Sequence, residues 1–207
     1  MTDVTDADTH KARMQALKEE QARKTREATD PGRGLVLVHT GDGKGKSSSA
    51  FGVIVRALGW GHAVGVVQFI KGTWVTGERQ FFDRLARSDM PSVDWHTMGE
   101  GFTWNTQDRD RDTEAAEAAF ARAARMMASG EYDLIVLDEI NIALRYDYLT
   151  VDAVIDGLKA RHARTSVVLT GRDAKPALCD YADLVSEMVE VKHPFQAGIK
   201  AQRGLDF

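Results

Sequence analysis

The chain has 207 residues, enough for one domain with a full-sized core. Its net charge of −4 argues against general nucleic-acid binding, and its single cysteine, Cys179, excludes an internal disulfide and suits a reducing compartment. The acidic, polar start is unlike an export signal and no apolar run has membrane-spanning length, so a soluble cytoplasmic protein with no membrane partner is expected.

Residues 1–33 stand apart. "HKARMQALKEEQARKTREATDPGRG" is charged and rich in helix formers, its apolar positions are few, and Pro31-Gly32 close it. It reads as a solvated tail or as a helical arm that orders over a ligand or a partner subunit, and we set it apart as an arm preceding a domain of residues 34–207. From Gly34 strands and helices alternate. "GLVLVHT" (34–40) is an apolar run suited to a strand buried on both faces, and a helix follows over 47–58, with Phe51, Ile54, Val55 and Leu58 on one stripe. Strands are expected at 63–70, more weakly at 92–99, and at 132–140, 165–171 and 184–191. Helices are expected at 112–129, with Ala116, Phe120, Ala123 and Met127 inward, and at 150–160, N-capped by Thr150. This alternation predicts an α/β fold, a mostly parallel sheet of P-loop type with helices on both faces.

The first strand runs into "HTGDGKGKSSS" (39–49), a glycine-rich loop opening a helix, where α/β sheets bind phosphate. In the usual G-x-x-x-x-G-K-[ST] loop, aligned on Gly45-Lys46-Ser47, the first glycine falls on Thr40, and Gly41 comes one place late. Gly41, Gly43 and Gly45 allow a sharp turn that brings N–H groups to an anion, Lys44 and Lys46 add positive charge, and Ser47 offers Mg²⁺ a hydroxyl. With Thr40, Asp42 and Ser48 these residues form the expected ATP-binding stretch. "LIVLDE" adds a strand ending in Asp138, a Mg²⁺ carboxylate, and Glu139, a third metal candidate and, with Lys46, a candidate catalytic residue. In hydrolytic ATPases a glutamate there orients water. Phe102 and Trp104, in "GEGFTWNTQDRDRDT", read either as core aromatics or as one wall of a pocket for a flat second substrate. "DWHTMG" fits D-x-H-x-x-G, a cobalt-ligating pattern of some cobalamin-binding domains, but so short a pattern on a strand is better read as an edge-strand histidine, His96.

"TGDGKGKSS", "VGVVQFIKGTWVTGERQFF", "GFTW", "LDEI" and "VKHPFQAGIKAQRGLDF" together resemble ATP:corrinoid adenosyltransferases of the CobA/CobO/BtuR type, in order from Gly34 to Phe207. Departures are small: Asp42 for Asn, Ser47 for Thr, Gln196 for Asp and Phe207 for Tyr. The resemblance implies that ATP binds with its triphosphate reversed relative to ordinary P-loop enzymes. Cobalt(I) of a corrinoid attacks the ribose 5′ carbon, and triphosphate leaves in one piece. It implies ATP, Mg²⁺ and corrinoid as ligands, and Phe102 and Trp104 under the corrin face, excluding a lower ligand so that cobalt(II) is more easily reduced. It further implies a flavin-based reducing system and a homodimer in which the arm caps the corrinoid site. A P-loop kinase or ATPase acting on a small metabolite is the competing reading, with Glu139 as its water-orienting base; a third is a non-catalytic carrier of nucleotide or corrinoid.

Overall fold

The computed structural model describes residues 6–70, 76–87, 92–97 and 108–206. Two compact units meet in sequence between Gly32 and Arg33. The first is one helix, α1 (Asp6–Glu27), tied by pairs one turn apart: Glu20–Lys24, Arg23–Glu27 and Gln15–Glu19. Met14 and Leu17 are its only large apolar residues.

The second unit is a six-stranded sheet, β1 (Val36–Thr40), β2 (Val64–Gln68), β3 (Val93–Thr97), β4 (Leu134–Asp138), β5 (Ser166–Thr170) and β6 (Leu184–Glu187), in the order β3-β2-β4-β5-β1-β6. Every pairing is parallel, as the alternation predicts. The helices are α2 (Lys46–Gly59), α3 (Gly77–Leu85), α4 (Arg109–Ser129), α5 (Ile140–Arg145), α6 (Val151–Lys159) and α7 (Pro176–Tyr181), followed by a 3-10 turn at Pro194–Ala197.

Successive strand residues point to opposite faces, and both faces are covered, so the inner strands are apolar throughout. Val66, Val136 and Val168 pack under Ala50, Phe51, Ile54 and Leu58 of α2 and Phe82 of α3. Val67, Ile135, Leu137, Val167 and Leu169 face the other way, against Ala119, Ala123 and Met127 of α4 and Val154 and Leu158 of α6. Thr150 caps α6 as expected, its side chain accepting from the Ala153 N–H.

Some expectations need correction. Val55 is 52% exposed and leaves the buried stripe of α2, where Ala50 and Ala57 take part instead. The strand expected to reach residue 140 stops at Asp138, because Glu139 turns into the left-handed region and Ile140 begins α5. The last strand ends at Glu187 rather than 191, and its edge position leaves Leu184 and Val185 exposed. Helices α3, α5 and α7 were not expected; α5 and α7 have six residues each, too few for a helical period to show. Cys179 is half-buried against the core.

Candidate active site

Because β5 lies between β1 and β4, the segments leaving these three strands emerge side by side at the carboxyl edge of the sheet. That edge gathers every charged group of the phosphate loop that the sequence singles out, plus one that it does not.

Thr40, in place of the first glycine, is still part of β1. Its hydroxyl accepts from the Ala174 N–H at 3.1 Å, and its carbonyl accepts from the Met188 N–H at 2.8 Å. The left-handed turn therefore falls on Gly41, at φ +96°. A Cβ there would stand 2.5 Å from the Met188 carbonyl, and one on Gly43 2.8 Å from it. These glycines admit the protein's own backbone, the segment leaving β6, across the loop. The Gly43 N–H is spent on the Met188 carbonyl at 2.7 Å, which corrects the picture of that N–H as an anion donor. Gly45, at φ +112° with open space around it, starts α2 and leaves the helix N-terminus facing the loop.

Lys46 is 7% exposed, and its ammonium donates to the Gly43 carbonyl at 2.7 Å. Burial lowers its pKa, and the nearby Glu139 carboxylate opposes that shift. Behind the loop the buried His39 ring bonds the Lys46 backbone, and burial pushes its pKa down, which keeps it neutral. Lys44 is half-exposed and pairs with Asp206 at 2.5 Å. Ser48, on the first turn of α2, is exposed and borders a cavity of about 430 Å³ lined mainly by Phe51, Val55, Phe81, Phe82 and Leu205, with Glu78 also in its wall. Phe51 and Phe82 also stack with Trp95 of β3, at 5.5 and 5.9 Å between ring centres.

Asp138, 2% exposed, accepts from the Thr170 hydroxyl at 2.9 Å, from the Gln68 amide at 3.1 Å and from the Ser47 hydroxyl. Burial pushes its pKa up, and the three donors work against that rise. Glu139 sits at φ +61°, its N–H donating to the Thr170 hydroxyl at 2.9 Å. Burial, then the adjacent Asp138, pushes its carboxyl up to about 7, against the pull of Lys46 and Arg172. Its side chain lies over Gly171, where a Cβ would come within 3.2 Å of Oε2. The next residue, Arg172, is the group that sequence reasoning missed. Its guanidinium donates to the Asp42 carbonyl at 3.2 Å and stands 4.0 Å from the Asp42 carboxylate. Its charge is felt at both Lys46 and Glu139. A lone Arg after a strand shows no pattern; only the placing of β5 beside β1 could reveal it.

One ammonium, one guanidinium and a helix N-terminus beside a pair of carboxylates, with Lys44 on the outer side of the loop, form an arrangement suited to a polyphosphate with a divalent cation. The family model "ATP:corrinoid adenosyltransferase BtuR/CobO/CobP" matches residues 32–207. The chain belongs to this family. A corrinoid adenosyltransferase of Pseudomonas aeruginosa is 53% identical over 96% of this chain and 95% of its own. Those of Salmonella typhimurium and Escherichia coli K12 are 43% and 42% identical, each over 96% of this chain and 97% of theirs. Membership makes the chain an enzyme of adenosyl transfer from ATP to a corrinoid, and the kinase or ATPase reading is not favoured. Among the described residues no helix is long and apolar enough to cross a membrane.

Other expected features lie away from this edge or outside the described residues. Phe102 and Trp104 fall outside them. His96 sits on the edge strand β3, with Asp94 and Arg122 each 2.9 Å from its Nε2. Among the described residues no group of three or more His, Cys, Asp or Glu side chains is placed to hold a metal.

Proposed function

We propose that the β1–β4–β5 edge binds the triphosphate of ATP and stabilises it as the leaving group, while cobalt(I) of a reduced corrinoid attacks the ribose 5′ carbon. Cobalt supplies the electron pair of the new Co–C bond, and the C5′–O bond breaks with its pair passing to triphosphate. Cobalt(I) carries no proton to remove, so the step needs no general base. Its demands are in-line placement and stabilisation of the charge that builds on the leaving oxygens. Lys46 and the N–H groups opening α2 at Ser47 and Ser48 serve the phosphates, with Lys44 and Arg172 flanking them. Thr40, Gly41, Asp42, Gly43 and Gly45 shape the loop.

Ser47 and Glu139 fit Mg²⁺, with Asp138 in support. They are hard oxygen donors of the kind Mg²⁺ takes, and phosphate oxygens and water would supply the rest of its coordination. Asp138, with three donors already on its oxygens, suits an orienting role behind Ser47. A bound Mg²⁺ would supply positive charge to the triphosphate. The observation that carries this reading is the convergence of Lys46, Ser47–Asp138, Glu139 and Arg172 on one edge of the sheet.

Phe102 and Trp104 are assigned to the lower face of the corrin, and α1 to capping the corrinoid in a cytoplasmic homodimer served by a flavin-based reductant. These assignments rest on the family likeness. The cavity beside Ser48 gives an apolar group room next to the nucleotide. The deciding experiment measures triphosphate release from ATP. The reading expects release only with added, reduced corrinoid; ADP and phosphate formed without corrinoid would overturn it.

A further inference from the structure

The phosphate loop is bridged by the protein's own tail at two points of different character. At one, the Gly43 N–H and Met188 carbonyl form a backbone bond beneath glycines that leave no room for a side chain. At the other, the half-exposed Lys44 ammonium meets the largely covered Asp206 carboxylate at 2.5 Å. Asp206 belongs to a small closed turn. The Leu205 and Asp206 N–H groups both donate to the Gln202 carbonyl, at 3.1 and 2.8 Å, and the Gln202 N–H returns a bond to the Asp206 carboxylate at 2.8 Å. Gly204 and Leu205 of this turn line the cavity, across from residues of α2 and α3 that include Phe51, Phe82 and Glu78. A turn that lines the cavity is thus tied to a phosphate-loop lysine by its own carboxylate.

We propose that the 202–206 turn is a latch that polyphosphate opens: bound triphosphate takes Lys44 from Asp206, releasing the turn from the cavity wall, and Asp206 retakes Lys44 as triphosphate departs. This rests on the phosphate-loop reading above. A single carboxylate offers Lys44 one negative charge, whereas a triphosphate offers several and engages Lys46 and the start of α2 at the same time, so the exchange favours phosphate. An ion pair whose lysine is half-exposed to water is weak enough to be given up. The Met188 bond involves no charged side chain and stays closed, so only the far end of the tail is freed. The exchange moves no covalent bond; it couples nucleotide occupancy to the shape of the neighbouring cavity, and it gives the departing triphosphate an internal competitor.

The test uses the full chain with Mg²⁺ and inorganic triphosphate as probe, without corrinoid. Calorimetry compares wild type with Asp206→Asn and with Glu190→Gln, the latter a tail carboxylate bonded to Gln196. Asp206→Asn is expected to tighten triphosphate binding about two- to fivefold, the scale of one partly exposed ion pair, and Glu190→Gln to leave it within a smaller margin. In wild type, ¹⁵N heteronuclear NOE values at Gly204, Leu205 and Asp206 should fall when triphosphate is added, while that at Met188 holds. Weaker or unchanged binding in Asp206→Asn, an equal gain in Glu190→Gln, or unmoved NOE values with triphosphate bound would overturn the latch alone. Failure of wild type to bind triphosphate would overturn the phosphate-loop reading and the latch with it.

Discussion

The phosphate edge and helix α1 both carry paired charges but arrange them differently. At the edge, partners lie far apart in sequence: Arg172 reaches Asp42 and Thr170 reaches Asp138. In α1 the pairs Glu20–Lys24 and Arg23–Glu27 stand one turn apart. Charges wired through the tertiary fold are pre-organised, and their positions are paid for by the core beneath them. Charges paired along one helix specify the helix and nothing else. Function that needs fixed geometry is therefore expected at the edge, and function that needs a surface to order against is expected in α1.

The strongest way to break this contrast is Lys46→Ala. A buried ammonium directed at a leaving group acts where the dielectric is low, so adenosyl transfer should fall by about two orders of magnitude or more. Single-turnover rates at saturating ATP check this, and a near-normal rate would remove the edge from the chemistry.

Glu139 tests the electrostatics of the same edge without nucleotide. Its carboxyl titrates at about 7 in the folded chain against an ordinary 4.5. The native state therefore holds a proton that the unfolded state has lost between those values. Its contribution to stability is fully present below pH 4.5 and is lost as pH rises through 7, a fall on the order of 3 kcal/mol. Urea unfolding of the metal-free protein at pH 5 and pH 8 should show this decline, and Glu139→Gln should flatten it. An unchanged slope in the mutant would place the titration elsewhere.

The loop glycines sharpen the contrast further. Gly45→Ala meets only backbone strain at φ +112° and should cost about 1–2 kcal/mol. Gly41→Ala adds a clash with the Met188 carbonyl and should cost about 1 kcal/mol more. Equal costs in chemical unfolding would mean that the tail does not brace the loop. Arg172→Ala should raise the KM for ATP about tenfold, with Arg172→Lys recovering part of it, as expected for a half-exposed guanidinium beside phosphate.

What the sequence disclosed follows the same division. Strands β1, β4 and β5, the loop at 39–49 and the Asp138 strand end were legible, because local apolar runs and glycine spacing announce them. Arg172 and Asp206 were not, since each acquires its partner only through strand order or through the return of the tail. The left-handed turn at Glu139 was not either: a non-glycine residue at positive φ is held there by its surroundings, here by the bond from its N–H to Thr170. Helix α3 was missed although Thr76 caps it, because "GERQFFDRL" offers only two full turns of pattern.

The smallest expected effect on stability belongs to α1, and it decides what the helix is for. With Met14 and Leu17 as its only large apolar residues, α1 has little surface to bury, so deleting residues 1–30 should shift the melting temperature by about 1–2 °C at most. If the helix orders over the corrinoid, the deletion should weaken corrinoid binding several-fold and leave ATP affinity as it was, since the phosphate edge is built wholly from residues after Arg33. Titrating the truncated protein with each ligand separately gives the answer. A loss of many degrees, or equal losses for both ligands, would make α1 a structural element. The contrast between a wired site and a helix specified only by its own pairs would then fail at its weaker end.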